Sequence, residues 1–200
     1  VDDEEYGISY DVYGNVSETT DCMGNTTEFE YDIYGELLSK TDANGNTSRY
    51  DYDALGNLVG ITYPNGTRVD YSYDRSNRVN KAETTFETDE GEKTIKISCG
   101  YDEDGNVISY TDEVGTTTTY TYDEADRITG VYDAYGDLIQ DYVYDSMGRV
   151  CETGAQDGSK TLYAYDSMGN IIKKTESGLG GVSKTYEDST ETDPQKKNKN

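Results

Sequence analysis

Carboxylates are the chemistry this chain has in quantity: 41 Asp and Glu stand against 17 Lys and Arg, and histidine is absent. Two carboxylates flanking a sugar linkage could hydrolyse it, and many acidic pairs could be drawn from this sequence. The aspartates, however, recur at fixed places in turn motifs, where an Asp side chain caps its own turn. An active site is a single break in a pattern, not the pattern itself. Without histidine, neither a Ser-His-Asp nor a Cys-His arrangement can be assembled. Cys22, Cys99 and Cys151 are too scattered for a zinc site and are expected as unpaired thiols. Cys99 stands two residues before Tyr101, where an aromatic usually sits, and reads as a small buried hydrophobe. The runs Asp42–Asn46 and Asp102–Asn106 look faintly like calcium loops, but neither has the twelve-residue frame closed by a bidentate glutamate. No catalytic residue, metal ligand or cofactor is assigned.

Tyrosine is the other residue in excess, 21 of 200. Tyr13, Tyr34 and Tyr135 fall third in their turns, where packing asks for no aromatic ring; with Tyr63 they point outward. Exposed tyrosine beside acidic and amide groups can bind carbohydrate, and rings that cover a neighbouring hairpin are the plainer reading. Four Asn-x-Ser/Thr sequons, at Asn15, Asn25, Asn46 and Asn65, arise from the motif itself and matter only in a secreted animal protein.

The elements that carry these residues follow from a repeat. Tyr-Asp occurs at Tyr10, Tyr31, Tyr52, Tyr73, Tyr101, Tyr122, Tyr144 and Tyr165, in steps of 21, 21, 21, 28, 21, 22 and 21 residues. A period of that size marks a repeat array. Each copy opens a Tyr-Asp-x-x-Gly turn: Asp32 to Gly35, Asp53 to Gly56, Asp102 to Gly105, Asp145 to Gly148 and Asp166 to Gly169. A second turn follows about ten residues later, as at Asp21 to Gly24, Asp42 to Gly45 and Asp112 to Gly115. Asp first and Gly fourth suit a type I turn closed by a left-handed glycine bulge. That loop places Tyr31 opposite Leu37, Tyr52 opposite Leu58, and so on through Tyr165 and Ile171. Each is a favourable aromatic–aliphatic cross-strand pair.

Phe29, Tyr50, Tyr71, Tyr120, Tyr142 and Tyr163 lie two before the repeat tyrosine and share its face. A period of 21 is odd, so two identical turns would invert the face at every repeat. A four-residue second loop, pairing Thr41 with Asn46 and setting Leu37 opposite Tyr50, is the expected remedy. The sequence thus predicts an all-β array of antiparallel hairpins, two strands per repeat of about 21 residues. It should form a curved, spiralling sheet with tyrosines and aliphatics on one face and Thr, Ser, Glu, Lys and Asp on the other. Copy 73–100 is longer, with an added turn near Asp89–Glu92, and Asn77 and Asp126 replace the turn glycine. Residues 1–175 form the array, 176–187 a degenerate last copy loosened at Gly178–Gly181, and 188–200 a polar tail expected to be disordered. No helix is predicted. End strands of an open sheet invite pairing with other chains.

Apolar residues make up only 32% and the net charge is −24. The tyrosines argue against a disordered chain. The charge argues against nucleic acid and anionic membranes, and no apolar run is long enough to span a bilayer. The start, Val1 to Glu5, has no secretory pattern and falls inside a repeat, so the sequence reads as an excerpt.

In its Tyr-Asp-x-x-Gly-Asn frame, over residues 6 to about 175, the chain resembles the Rhs/YD-repeat family. That family includes polymorphic toxins, toxin-complex cocoons, wall-associated proteins and teneurins. The resemblance implies a β-hairpin shell that in the toxins encloses a C-terminal effector, and a secreted or cell-surface parent of bacterial origin. The family's self-cleaving core carries Asp-Pro-x-Gly; Asp193-Pro194-Gln195-Lys196 lacks its glycine, so no cleavage residue is carried over. Two functions are implied. One is structural, wall of a shell whose partners are the rest of the parent and an enclosed toxin domain. The other is adhesive, a stalk that binds carbohydrate or a partner cell.

Overall fold

A computed structural model of the protein describes residues 6–178 and 183–187, and every regular element among them is a strand. The tail 188–200, with Asp193 and Pro194, and the residues Leu179–Gly181 of the loosened segment lie outside the described residues. Two compact units divide the chain: one of the described residues up to Cys99 with Asp112–Gly115, the other of Gly100–Thr111 and the described residues from Thr116 on.

The first unit is an antiparallel meander of β1 (Gly7–Tyr10), β2 (Val16–Thr20), β3 (Thr26–Tyr31), β4 (Leu37–Thr41), β5 (Thr47–Tyr52), β6 (Leu58–Thr62), β7 (Arg68–Tyr73), β8 (Val79–Thr88) and β9 (Gly91–Tyr101). β9 runs two residues past Cys99. Strands β8 and β9 are the long hairpin of copy 73–100, closed by a tight turn pairing Thr88 with Gly91. The second unit continues with β10 (Val107–Thr111), β11 (Thr117–Tyr122), β12 (Ile128–Tyr132), β13 (Leu138–Tyr144), β14 (Val150–Ala155), β15 (Lys160–Tyr165), β16 (Ile171–Ser177) and β17 (Ser183–Glu187). Each of these pairs antiparallel with the next.

The tyrosine turns have the expected loop. In the second of them, Asp32 N–H donates to the Glu36 carbonyl at 2.9 Å and Gly35 N–H to the Asp32 carbonyl at 3.2 Å, with Gly35 left-handed at φ 86°. Tyr31 faces Leu37, Tyr52 faces Leu58, Tyr73 faces Val79, Tyr122 faces Ile128, Tyr144 faces Val150 and Tyr165 faces Ile171.

The other turn of each repeat differs from expectation. Asp42 N–H donates to the Asn46 carbonyl and Gly45 N–H to the Asp42 carbonyl, so it is the same loop, and Thr41 faces Thr47, not Asn46. Ser39 faces Arg49, so Leu37 is not opposite Tyr50, which pairs with Ile61. The odd residue is taken up elsewhere. Next to every tyrosine turn whose register is described, the ladder slips by one: Tyr31 faces Leu37 but Glu30 faces Ser39, which leaves Leu38 extra. A β-bulge, one residue unpaired on one strand, restores the face that loop length alone would invert. Ser17, Val59, Asn80, Thr129, Cys151 and Ile172 are extra in the same way.

One further copy explains the 22-residue step. Tyr132-Asp133 is a ninth Tyr-Asp that opens a turn, in second-turn position, and it too carries a bulge, Ile139. One more bulge makes the period one residue longer.

The tyrosine face is half-buried. No apolar side chain among the described residues is fully buried, and the buried positions are Ser39, Gly60, Gly130 and Gly154. Cys99 is half-buried instead of buried. Rings here are covered by in-plane neighbours on the same sheet, so a tyrosine contributes about half of what a fully buried aromatic would. On the opposite face Arg68 spans Asp51 at 2.9 Å and Asp70 at 2.8 Å. It passes over Gly60, where an added Cβ would come within 2.5 Å of its guanidinium.

Candidate functional site

The turns are the candidate site, and their carboxylates are occupied by the chain itself. Asp53 accepts Leu55 N–H at 2.8 Å and Asn57 N–H at 2.9 Å on one oxygen, and the Asn57 amide at 3.0 Å on the other. The Asn57 side chain, then its backbone N–H, holds Asp53 below the ordinary carboxylate range. Asp166 repeats the arrangement with Asn170. Asp145 is also held low, first by the backbone N–H of Arg149 and then by its guanidinium, which donates at 2.7 Å. Carboxylates held ionised by N–H donors cannot lend a proton near neutrality, which removes them as general acids.

The two calcium-like runs behave likewise. Asp42 accepts from Asn44 N–H, Asn46 N–H and the Asn46 amide, and Asp102 from Gly105 N–H, Asn106 N–H and the Asn106 amide. Among the described residues no group of three or more His, Cys, Asp and Glu is placed to hold a metal. No described helix is long and apolar enough to cross a membrane.

Successive tyrosine turns are joined by the tyrosines themselves. The Tyr73 hydroxyl donates to the Leu58 carbonyl at 2.7 Å, Tyr122 to Val107 at 2.7 Å, Tyr144 to Ile128 at 2.7 Å and Tyr165 to Val150 at 2.6 Å. Burial raises the Tyr52 phenol above the ordinary value. Leu58, Ile128 and Val150 each begin a bulge, where the ladder is locally broken. The Tyr73, Tyr144 and Tyr165 hydroxyls therefore each satisfy a carbonyl at a defect in the preceding copy. Tyr10 is 61% exposed, and no hydrogen bond from its hydroxyl is seen among the described residues.

Three links were not foreseen from the sequence. Arg78, Arg127 and Arg149 replace Asn after the turn and pair with Asp74, Asp123 and Asp145. Arg127 lies 4.4 Å from the Tyr144 ring centre and Arg149 4.5 Å from that of Tyr165, so each cation stacks on the next repeat tyrosine. Asn77 and Asp126, which stand where glycine is usual, keep the left-handed backbone at φ 64° and 58°. Asn77 exchanges amide bonds with Asn57 at 2.6 and 2.8 Å, and Asp126 accepts from Asn106 at 2.7 Å. A polar residue in a glycine position is the signal that could have revealed these links.

Tyr13, Tyr34 and Tyr135 are 77%, 83% and 92% exposed. Tyr13 and Tyr34 tip successive tyrosine turns of the first unit. Tyr135 tips the Asp133 turn of the second unit, at the strand ends opposite the Asp123 and Asp145 turns. A cleft between adjacent tips is lined by Asp32, Tyr34, Glu36, Tyr52, Asp53 and Leu55.

Tandem hairpins joined tyrosine to carbonyl, with turn carboxylates spent on structure, define a β-hairpin repeat protein. The chain belongs to the RHS repeat family, whose model matches residues 10–47, 34–68, 52–90 and 101–138. Solved structures share the fold at low identity. The TcdB2-TccC3-TEV crystal structure matches at 16% identity and TM-score 0.52, over 88% of this chain and 11% of that one. TcdB2-TccC3 matches at 15% identity and TM-score 0.53, over 87% and 11%. A Tc holotoxin pore of Photorhabdus luminescens carrying a TccC3 mutation matches at 13% identity and TM-score 0.50, over 87% and 12%. The chain thus spans only about a ninth of the length of the proteins it resembles. No curated protein matches it.

Proposed function

We propose that this chain is a non-catalytic wall segment of a secreted or cell-surface RHS-repeat protein, one that encloses a C-terminal toxin or effector. The observation that carries this reading is the repeat-to-repeat stitching. The Tyr73, Tyr144 and Tyr165 hydroxyls each complete a defect in the copy before them, so the array extends by addition and the recurrent turn groups have a structural duty. The half-exposed tyrosine face then serves as a lining, and the parent chain and its enclosed domain are the partners. The test is to clone the gene outward from both ends, express the whole product, and image it by electron microscopy. A hollow particle with internal density supports the wall; an extended rod overturns it.

The exposure of Tyr13, Tyr34 and Tyr135 favours a second reading, a surface stalk that binds carbohydrate. Glycan-array binding that is lost when those three residues become serine supports it, and an array without a hit removes it.

A further inference from the structure

The first three tyrosine turns carry something the wall reading leaves unused. Their outermost positions are Val12 and Tyr13, Ile33 and Tyr34, and Ala54 and Leu55. All six are apolar, in a chain that is only 32% hydrophobic. Val12 is 93% exposed, and Ile33, Tyr34 and Leu55 are 78%, 83% and 83% exposed. The central positions of a type I turn accept most residues and demand no apolar one, so the loop does not account for the choice.

The three turns are neighbours. Asn15 of the first lies 3.6 Å from the Cβ position of Gly35 in the second, and Tyr34 and Leu55 line one cleft between the second and third. The ridge stops at the fourth turn, where Arg75 and Ser76 take the tip. At the other strand ends of the same unit the tips are mixed: Cys22 and Met23, Ala43 and Asn44, Pro64 and Asn65. A contiguous exposed apolar surface rimmed by polar groups marks an interaction site.

The rim decides the partner. Residues 11–15, 32–36 and 53–57 contain Asp11, Asp32, Glu36 and Asp53 and no Lys or Arg. A second copy of this chain would bring the same negative rim and a net charge of −24 against its own kind, which disfavours self-association. A cationic partner is attracted to the rim, and aliphatic side chains are needed to cover Val12, Ile33 and Leu55. From the ridge and its rim we infer that the first three tyrosine turns form a docking surface for a basic, amphipathic polypeptide segment. This goes beyond the wall reading and does not depend on it.

The test uses the whole chain and three fluorescent peptides of equal length: alternating Leu and Lys, alternating Leu and Glu, and Lys with Ser. The variant combines I33S, Y34S and L55S, all at exposed tips, with M147S plus M168S as a control on the other unit. Circular dichroism and the melting temperature confirm that each variant is folded. The expected result is that the Leu–Lys peptide binds the wild type and the control alike, and at least tenfold more weakly to the ridge variant. Lys–Ser binding should be weak and equal in all three proteins, and Leu–Glu binding absent. Equal Leu–Lys affinity for wild type and ridge variant overturns the inference, as does Leu–Glu binding of similar strength. Glycan binding lost in the ridge variant without peptide binding, or a concentration-dependent dimer lost in it, also overturns it. The hollow-particle experiment reads the wall proposal separately.

Discussion

The turn at Asp32 and the turn at Asp42 share one loop, down to the same pair of backbone hydrogen bonds, yet the strands leaving them differ. Tyrosine precedes the first and an extra residue, Leu38, follows it; threonine precedes the second and its ladder is regular. Across the described ladders, tyrosine precedes every turn that has a bulge. Threonine precedes the regular ones at Asp21, Asp42, Tyr63 and Asp112, and Gly154 the one that starts at Ala155. In the threonine turns Thr41 and Thr47, and Thr111 and Thr117, meet hydroxyl to hydroxyl at 2.9 Å within their own hairpin. At Tyr73, Tyr122, Tyr144 and Tyr165 the hydroxyl reaches the preceding copy instead. One kind of turn closes a hairpin, and the other also connects hairpins. The difference shows that propagation along this array resides in the strand beside the turn and not in the loop.

Removing a bulge separates the two roles most sharply. Deleting Val59 straightens the strand beside Tyr52 and takes the Leu58 carbonyl away from the Tyr73 hydroxyl. The lost bond, the displaced ring and the missing valine together should cost about 3 kcal/mol. Deleting Ile139 removes a bulge whose Leu138 carbonyl receives no tyrosine hydroxyl among the described bonds, and should cost about 1 kcal/mol. Chemical denaturation of both proteins gives the comparison. Equal losses would mean that bulges matter for strand bending alone.

Replacing the tyrosine tests the other partner of the same link. Tyr73→Ala removes a half-buried ring and its bond to Leu58, so about 2 kcal/mol is expected, below the roughly 3–5 kcal/mol of a fully buried aromatic. Tyr73→Phe keeps the ring, loses the bond, and should cost about 1 kcal/mol. Tyr10→Phe, at an exposed ring with no hydroxyl partner seen, should leave the melting temperature unchanged. A Tyr10→Phe loss matching that of Tyr73→Phe would contradict the link as the source of stability.

Much of this is legible in the sequence because turn chemistry is local. Asp first and Gly fourth set the loop, and the loop sets the six-residue spacing from Tyr31 to Leu37. Parity also demands one extra residue per repeat. Its location is hidden, because loop length and a bulge satisfy the same count, and only register distinguishes them. Leu38 and Val59 look like ordinary strand residues. Tyr132-Asp133 escapes the repeat count because it falls ten residues after Tyr122, in second-turn position, although the 22-residue step is its trace. The number of tyrosines suggests full burial. The sheet instead covers each ring from the side, which no composition reveals. Among the candidate residues, the turn positions place Tyr13 and Tyr34 at exposed tips, but the run of apolar tips emerges only once the three turns stand side by side.

The arginine copies refine the comparison further, since they add a cation to the tyrosine link. Arg149 pairs with Asp145, donates to the Asp166 carbonyl at 3.1 Å and stacks on Tyr165. Arg149→Ala should cost about 1 kcal/mol. Arg149→Lys should recover less than half of that, because a lysine lacks the planar fork that serves both contacts. Full recovery by lysine, measured by thermal melting, would reduce the contact to simple charge pairing.

The smallest difference expected lies where glycine has been replaced. Asn77 holds a left-handed backbone that costs an L-residue about 1 kcal/mol unless its side chain bonds locally, and its amide reaches Asn57 in the neighbouring copy. Asn77→Gly relieves the backbone and loses the amide pair, two effects that oppose each other, so a change of only a few tenths of a kcal/mol is expected. Asn77→Ala keeps the strained backbone and loses the pair, and should cost about 1 kcal/mol. Asn57→Ala in the Asn77→Gly background should then cost less than Asn57→Ala alone, since its partner is already gone. If the two costs are equal, the amide pair contributes nothing between copies. The Tyr73 hydroxyl would then carry the polar link between the third and fourth tyrosine turns, and the glycine of the motif would be explained by backbone conformation alone.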